Sequence, residues 1–231
     1  MGSRFRSFTL AIIVLPLAAG FAWFEATAPP PFDPSAWDPR PISAGTLERL
    51  EVVEALSRIQ FSASSTLHDF SGATQRVSGE LETDIGAVRA AARAHFRIDP
   101  ASLDTDNVDR DETMHTETLD VKRYTDIALT LEKVLPAPPE ASPSDPLKQD
   151  LEVEGKLLLH GQTQPVRLPI HLEVEDGGRL RITGRLRLDM TRWGIEPPST
   201  AWVINVDKMV TVRWNLVLMR PRPRPAKEAA K

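Results

Sequence analysis

Five histidines are the side chains in this sequence best suited to metal or acid–base chemistry, namely His68, His95, His115, His160 and His171. No two of them have the HxH or HExxH spacing that brings two imidazoles to one metal ion. His95 and His171 alternate with an apolar face and are therefore predicted to point into solvent. His160 precedes Gly161, so a hairpin turn accounts for it. The sequence predicts no metal site.

The sequence also lacks the motifs of nucleophilic catalysis and of nucleotide binding. Cysteine is absent, which excludes disulfides, thiolate metal sites and a cysteine nucleophile. The sequence contains no GxSxG, no P-loop and no GxGxxG leading into a helix. Arg110 and Asp111 are predicted to form a surface or capping ion pair worth ~0–1 kcal/mol. We therefore expect a protein that is not an enzyme and needs no cofactor.

The charge balance argues against a nucleic-acid partner. The chain of 231 residues has 28 Lys and Arg against 32 Asp and Glu, a net charge of −4. The two signs are interleaved along the chain. A nucleic-acid-binding protein would normally carry a basic surplus. We expect no nucleic-acid binding.

The first 28 residues have the pattern of an export segment. Arg4 and Arg6 precede a run without charges, residues 8–24, whose length is at the lower edge of the ~17–25 residues that span a bilayer. Cleavage after Ala28 would place Pro29 beside the cut, a poor signal-peptidase site, and a second site of small residues lies at Ala18-Ala19-Gly20. Two outcomes stay open: a cleaved signal peptide or an uncleaved inner-membrane anchor. Both place the rest of the protein in the periplasm, by the positive-inside rule.

Proline-rich stretches divide the remainder of the chain. Residues 29–45 are predicted to form a stiff linker because proline lacks an amide donor and fixes φ. Residues 46–219 form the predicted folded domain, in which the proline-rich stretch 136–146 is a surface loop. The basic residues 220–231 are predicted to be a disordered tail.

Period-two alternation of apolar and polar residues dominates the predicted domain. It is clearest over residues 151–159, 166–174 and 179–190, which predict a meander of three antiparallel strands. The same alternation recurs at residues 59–63, 77–81, 92–98, 127–131 and 210–218. A single short surface helix is predicted over residues 108–119, where acids come early.

About eight long antiparallel strands with one apolar face must hide that face from water. Two packed sheets or a closed barrel would both do so, and long tilted strands favour the barrel. The predicted fold is therefore all-β. An eight-stranded barrel has an interior that side chains can fill or that can hold one ligand.

Several segments, in this order along the chain, resemble the YceI-like family of exported bacterial lipid-binding proteins. These segments are SRIQF (57–61), TLHDFSG (66–72), LDTDN (103–107) followed by Arg110-Asp111, VEGKL (153–157) followed by His160-Gly161, PVRLP (165–169) and LDMTRWGI (188–195). The resemblance implies an extended lipocalin-like barrel. It also implies a lumen that holds a long apolar chain, such as a polyisoprenoid, the tail of an isoprenoid quinone or a fatty acyl group.

Inward-facing residues are the candidates for contact with such a chain. They are Phe61, Gly79, Leu81, Phe96, Leu129, Leu131, Val153, Gly155, Leu157, Leu168, Ile170, Ile182, Gly184, Leu186, Trp193 and Trp214. The glycines among them have two interpretations: relief of crowding where a strand bends, or missing side chains that leave a gap in the lumen. On the second interpretation, Gly184→Leu fills the lumen at little cost in stability.

Two functions follow from this pattern. The first is an exported carrier or binder of a long-chain lipid or isoprenoid, with possible membrane association through the N-terminus. The alternative is a non-enzymatic scaffold of the cell envelope whose barrel is filled by its own side chains. The sequence does not determine the oligomeric state or the identity of the lipid.

Overall fold

The computed structural model describes residues 29–135, 147–200 and 204–223. The predicted export segment, the loop 136–146 and most of the predicted tail lie outside these residues. The described chain has twelve strands: β1 Trp37–Asp38, β2 Leu47–Val52, β3 Arg58–Ser65, β4 Phe70–Thr74, β5 Val77–Asp84, β6 Arg93–Ile98, β7 Ile127–Val134, β8 Lys148–Leu159, β9 Gln162–Glu175, β10 Arg179–Asp189, β11 Ser199–Thr200 and β12 Ile204–Pro221.

The strands close into an antiparallel barrel. Their order is β10-β9-β8-β7-β6-β5-β2-β12. The barrel closes because β12 also pairs with β10, along the whole length of β10. β2 and β3 follow one another along the same edge of β12, and β4 and β5 follow one another opposite them. Each of these two pairs acts as one bent strand, so the wall has eight strands. The prediction of an eight-stranded, lipocalin-like barrel is confirmed.

β2 was not predicted because its alternation is broken by charge. Glu48 lies in the buried phase of the strand and Leu47 in the exposed phase. The Glu48 carboxylate is buried because it accepts hydrogen bonds from the Arg220 guanidinium, with Nε at 2.8 Å from Oε2. This pairing joins residues far apart in sequence, and no local pattern reveals it.

Two short helices connect strands. Helix α1 is a single turn, Val88–Ala91, and α2 spans Val108–Thr113 and continues as a π-helical turn, Met114–Thr118. Asn107 caps α2, since its side chain accepts a hydrogen bond from the Arg110 amide at 2.9 Å. The helix predicted over 108–119 is confirmed. No helix among the described residues is both long enough and apolar enough to cross a membrane.

Part of the proline-rich segment 29–45, predicted to be a stiff linker, is paired with the barrel. Its short strand β1 pairs with the end of β12, Trp37 opposite Pro221 and Asp38 opposite Arg220. β1 itself contains no proline: Pro34 lies in the turn before it and Pro39 directly after it, so both residues of β1 keep their amides. Arg220 and Pro221 are therefore part of the barrel and not of a disordered tail. We call residues 34–42 the strap.

Charge pairing holds the strap in place. Arg40 donates to the Asp38 carboxylate with Nε at 2.8 Å, and Arg220 also approaches it, with Nη1 at 3.5 Å. The hydrogen bonds from Arg40, with the field of Arg220, hold the pKa of Asp38 well below its usual range. Beyond these charges the strap inserts Ile42, which is 4% exposed, into the apolar core.

The core is densest at the end of the barrel where β9 turns into β10. Its side chains are almost completely withdrawn from solvent, and they come from five different elements or turns: Leu50, Ile85, Leu172, Leu180 and Leu218. We call this set the closed end. At this end the barrel behaves as an ordinary hydrophobic core.

Candidate ligand-binding lumen

A cavity of about 660 Å³ runs inside the barrel. It extends from Val88 and Ala92, next to the closed end, to Ser65 and Asp109 at the opposite end. The volume lies within the ~300–1,000 Å³ that is typical of small-molecule sites. The barrel therefore has room for a ligand of substantial size.

The wall of the cavity is the apolar face that the alternation predicted. All but three of the predicted site residues line it: Phe61, Leu81, Phe96, Leu129, Leu131, Val153, Gly155, Leu157, Leu168, Ile170, Ile182, Leu186 and Trp214. The arginines in the opposite phase point outward, and Arg167, Arg185 and Arg213 are exposed. The predicted orientation of the strands is confirmed.

The lining side chains are less buried than those of the closed end. Phe96, Leu129 and Leu186 are only partly buried, although they point into the barrel. Their remaining accessible surface faces the cavity. Apolar surface of this kind gains about 25 cal/mol for each Å² that a ligand covers.

Gly184 and Gly79 do not line the cavity. Each lies opposite an aromatic residue on the neighbouring strand, Gly184 facing Trp214 and Gly79 facing Phe96. A Cβ on Gly184 would overlap the Trp214 ring and the Pro169 carbonyl oxygen, and one on Gly79 would lie 2.7 Å from Phe96 Cδ1. The aromatic rings occupy the space that the glycines leave. The structure thus supports relief of crowding, and the expectation that Gly184→Leu fills the lumen is wrong.

Gly155 lines the cavity but offers no free space either. A Cβ there would lie 2.7 Å from the Thr130 carbonyl oxygen and 3.3 Å from Leu129 Cδ1. Its role, like that of the other two, is to allow close approach of a neighbouring strand. The volume of the lumen comes from the width of the barrel and not from its glycines.

Trp193 is the third predicted residue that does not line the cavity. It is 1% exposed and donates its indole Nε1 to the Leu157 carbonyl at 3.1 Å. Pairing of β9 with β10 ends at Ile170 opposite Gly184, because Pro165 and Pro169 supply no amide to this part of the wall. Trp193 packs with residues of β8, β9 and β10 beyond that point and seals the wall.

Among the described residues, polar side chains line the cavity only at the end opposite the closed end. They come from the β3–β4 hairpin, the α2 cap and α2 with its π-helical turn: Ser65, His68, Asn107, Asp109, Arg110, Thr113 and Thr118. Leu67 in the same hairpin also lines the cavity and is 62% exposed, so the cavity reaches solvent here. We call this region the open end. Period-two alternation does not reveal this region, because loops and a short helix carry no such periodicity.

Arg110 and Asp111 do not form the predicted ion pair. Arg110 donates from Nε to Thr105 Oγ1 and from Nη2 to the Thr105 carbonyl, both at 2.8 Å, and its guanidinium lies over the Phe70 ring at 4.9 Å. The Asp111 carboxylate accepts from the Thr105 hydroxyl and amide. Both side chains thus fix Thr105, and they brace the loop that frames the open end.

Four of the five histidines have a hydrogen-bond partner for the imidazole ring. His95 faces Thr130, and His171 contacts Asp150 at 2.8 Å, both on the outer surface as predicted. His160 and His115 contact the carbonyls of Trp193 and Leu103. The described residues include no group of three or more histidines and carboxylates that could hold a metal ion.

Comparison with known proteins agrees with this geometry. The family model of the YceI-like domain matches residues 50–218. The chain belongs to the YceI-like family. No curated protein matches the sequence.

Two solved structures share the fold of this YceI-like chain. BcnA from Burkholderia cenocepacia is 19% identical, with a TM-score of 0.58 over 72% of this chain and 98% of that chain. A polyisoprenoid binding domain from Saccharophagus degradans, implicated in plant cell wall breakdown, is 17% identical, with a TM-score of 0.58 over 76% and 100%. At these identities the likeness establishes the fold.

Proposed function

We propose that this protein binds one long apolar chain, such as that of a polyisoprenoid, a quinone tail or a fatty acyl group, inside the barrel. The observation that carries the proposal is the 660 Å³ cavity, whose wall is apolar except at the open end. Each methylene that such a chain buries is worth about 0.8 kcal/mol, so a dozen carbons suffice for binding after the entropic cost of association. The description of the Saccharophagus degradans domain as polyisoprenoid binding adds support.

The distribution of polar residues suggests how the chain is oriented. The polar side chains among the described lining residues all lie at the open end. The polar head of a lipid would therefore lie at the open end, since elsewhere it would be buried among aliphatic side chains. The tail then runs past Leu186 and Leu129 toward Val88. Binding requires no reaction, and we propose a binding protein without catalytic activity.

We also propose that the protein works outside the cytoplasm. The support is the N-terminal sequence, in which Arg4 and Arg6 precede the uncharged run 8–24. The protein would be periplasmic, either released by cleavage or held at the inner membrane. N-terminal sequencing of protein from its native compartment tests this: a mature chain beginning near residue 20 or 28 indicates release, and an intact Met1 in the membrane fraction indicates an anchor. Recovery of the intact chain in the cytosol contradicts export.

Mass spectrometry of an organic extract of the purified protein tests the binding function. We expect a long-chain lipid at about one molecule per barrel. The control is Ala94→Phe, because Ala94 lines the cavity and a benzyl group there takes up part of its volume. Folded wild-type protein that carries no lipid and takes up none from vesicles would support the scaffold alternative.

A further inference from the structure

The outer surface of the barrel carries an unusual group of arginines on three adjacent strands. Arg58 on β3, Arg213 on β12 and Arg185 and Arg187 on β10 all belong to the outward phase of their strands. Arg185 and Arg213 are direct cross-strand partners. Arg58 lies opposite Asn215, and Arg187 lies opposite Thr211. We call these four residues the arginine face.

None of these four arginines has a carboxylate partner among the described residues, for which every ion pair within 4.0 Å involves other side chains. The neighbouring outer surface of β7, β8 and β9 is different. There Glu154 pairs with both Lys133 and Arg167, and Lys156 pairs with Glu132. The protein as a whole is acidic, with a net charge of −4. The arginine face is thus a local basic surplus.

This arrangement does not stabilise the barrel. Like charges directly opposite each other on paired strands are destabilising, and the Arg185–Arg213 pair is of this kind. Its nearest outward neighbours supply no carboxylate: Gln60 lies opposite Arg213, Thr183 lies opposite Asn215, and Arg187 is a further positive charge. A negatively charged partner from outside the chain would remove the repulsion and supply the missing hydrogen-bond acceptors.

The shape of the surface indicates what kind of partner fits. Arg58, Arg185 and Arg213 line one side of a shallow groove, which also borders Gly184 of β10 and its cross-strand partner Trp214. The other side of the groove carries Asp150 and Glu152, so a polyanion spread over the whole width would be repelled there. A narrow chain lying along the arginine side avoids this repulsion.

A bilayer surface fits less well. The large apolar side chains exposed in the described residues are Leu47, Leu67, Val108 and Leu147, and none lies on the outward face of β3, β10 or β12. A membrane-binding face normally combines basic with apolar side chains. We propose that the arginine face binds an extended acidic segment of a partner protein. This inference is independent of the lipid proposed for the lumen.

Fluorescence anisotropy with a fluorescein-labelled oligoglutamate peptide tests the proposal on the purified protein. We expect binding that weakens with added salt, because exposed charges are screened. The double variant Arg185→Gln/Arg213→Gln should bind about tenfold more weakly. The matched control is Arg49→Gln/Arg97→Gln, which removes the same charge from arginines on β2 and β6 that pair with Glu80 and Asp126. The control should bind as the wild type does.

Several results would overturn the proposal. One is no binding of the peptide at low salt, and another is equal loss in both double variants, which would reflect net charge alone. Binding to phosphatidylglycerol vesicles without binding to the peptide would assign the surface to a membrane instead. The melting temperature of Arg185→Gln is a second readout: we expect a slight rise as the repulsion is relieved, and a clear fall would show that Arg185 stabilises the fold.

Discussion

The two ends of the barrel are built from the same kinds of residues but differ in how the residues are packed. At the closed end Leu50, Leu180 and Leu218 are fully buried against one another. Toward the open end Leu129 and Leu186 stand in the same inward phase and remain partly exposed to the cavity. Period-two alternation therefore determines which way a side chain points but not whether anything contacts it.

The difference arises from segments outside the regular strands. Ile42 of the strap, Ile85 and Val88 lie outside the strands, and all three are buried in the same cluster as the residues of the closed end. At the open end the covering elements are the β3–β4 hairpin and α2, whose polar side chains line the cavity. The interior of an eight-stranded barrel can be filled by side chains or can hold a ligand. In this barrel the closed end is filled by side chains, and the half toward the open end encloses the cavity.

The largest expected effect is a difference in the free energy of unfolding between two variants, each with one leucine shortened to alanine, one at each end of the barrel. Leu180→Ala opens a cavity in a close-packed core and should lower the free energy of unfolding by about 2–5 kcal/mol. Leu186 is only partly buried and borders a cavity that already exists, so Leu186→Ala should cost about 1 kcal/mol, less than the ~1.5–3 kcal/mol that a fully buried leucine side chain is worth. Urea unfolding of both variants measures the difference. Equal losses would mean that the lumen is packed as tightly as the closed end.

A smaller difference in stability is expected between two substitutions that place a larger side chain on the inner wall. Gly184→Leu forces a side chain into the Trp214 ring and should destabilise the protein by about 1–3 kcal/mol. Ala94→Phe projects into the cavity and should change stability by less than about 1 kcal/mol while it reduces lipid uptake. Thermal unfolding and lipid retention are measured on the same samples. A stable Gly184→Leu that has lost its lipid would restore the gap interpretation of the glycine.

The residues that form the wall of the cavity are easier to predict from the sequence than the residues at its two ends. Strands such as β8, β9 and β10 are predictable because polar and apolar residues alternate along most of their length. Gly184 was misjudged because its neighbour Trp214 lies thirty positions away in the chain, and their pairing is a property of the barrel register. Arg110 was assigned to Asp111 because they are adjacent, although both bind Thr105.

The smallest expected effect concerns the strap that covers the closed end. The pKa of Asp38 is lowered in the folded chain by the hydrogen bonds from Arg40, so the carboxylate stabilises the strap above its usual pKa. This stabilisation is lost as the pH falls through the lowered pKa. Asp38→Asn should speed hydrogen exchange at the Arg222 amide, which bonds to the Ala36 carbonyl at 2.9 Å. The two proteins should converge in strong acid, and a difference that grows there would contradict this account.

The central claim is that the barrel holds one long apolar chain in the half that its own side chains leave unfilled. Native mass spectrometry of delipidated protein, mixed with an equimolar long-chain isoprenoid alcohol, tests it most directly. We expect a one-to-one complex for the wild type and for the exterior variant Arg49→Gln, and a clear loss of complex for Ala94→Phe. No complex with the folded wild type, or equal binding by Ala94→Phe, would contradict the claim.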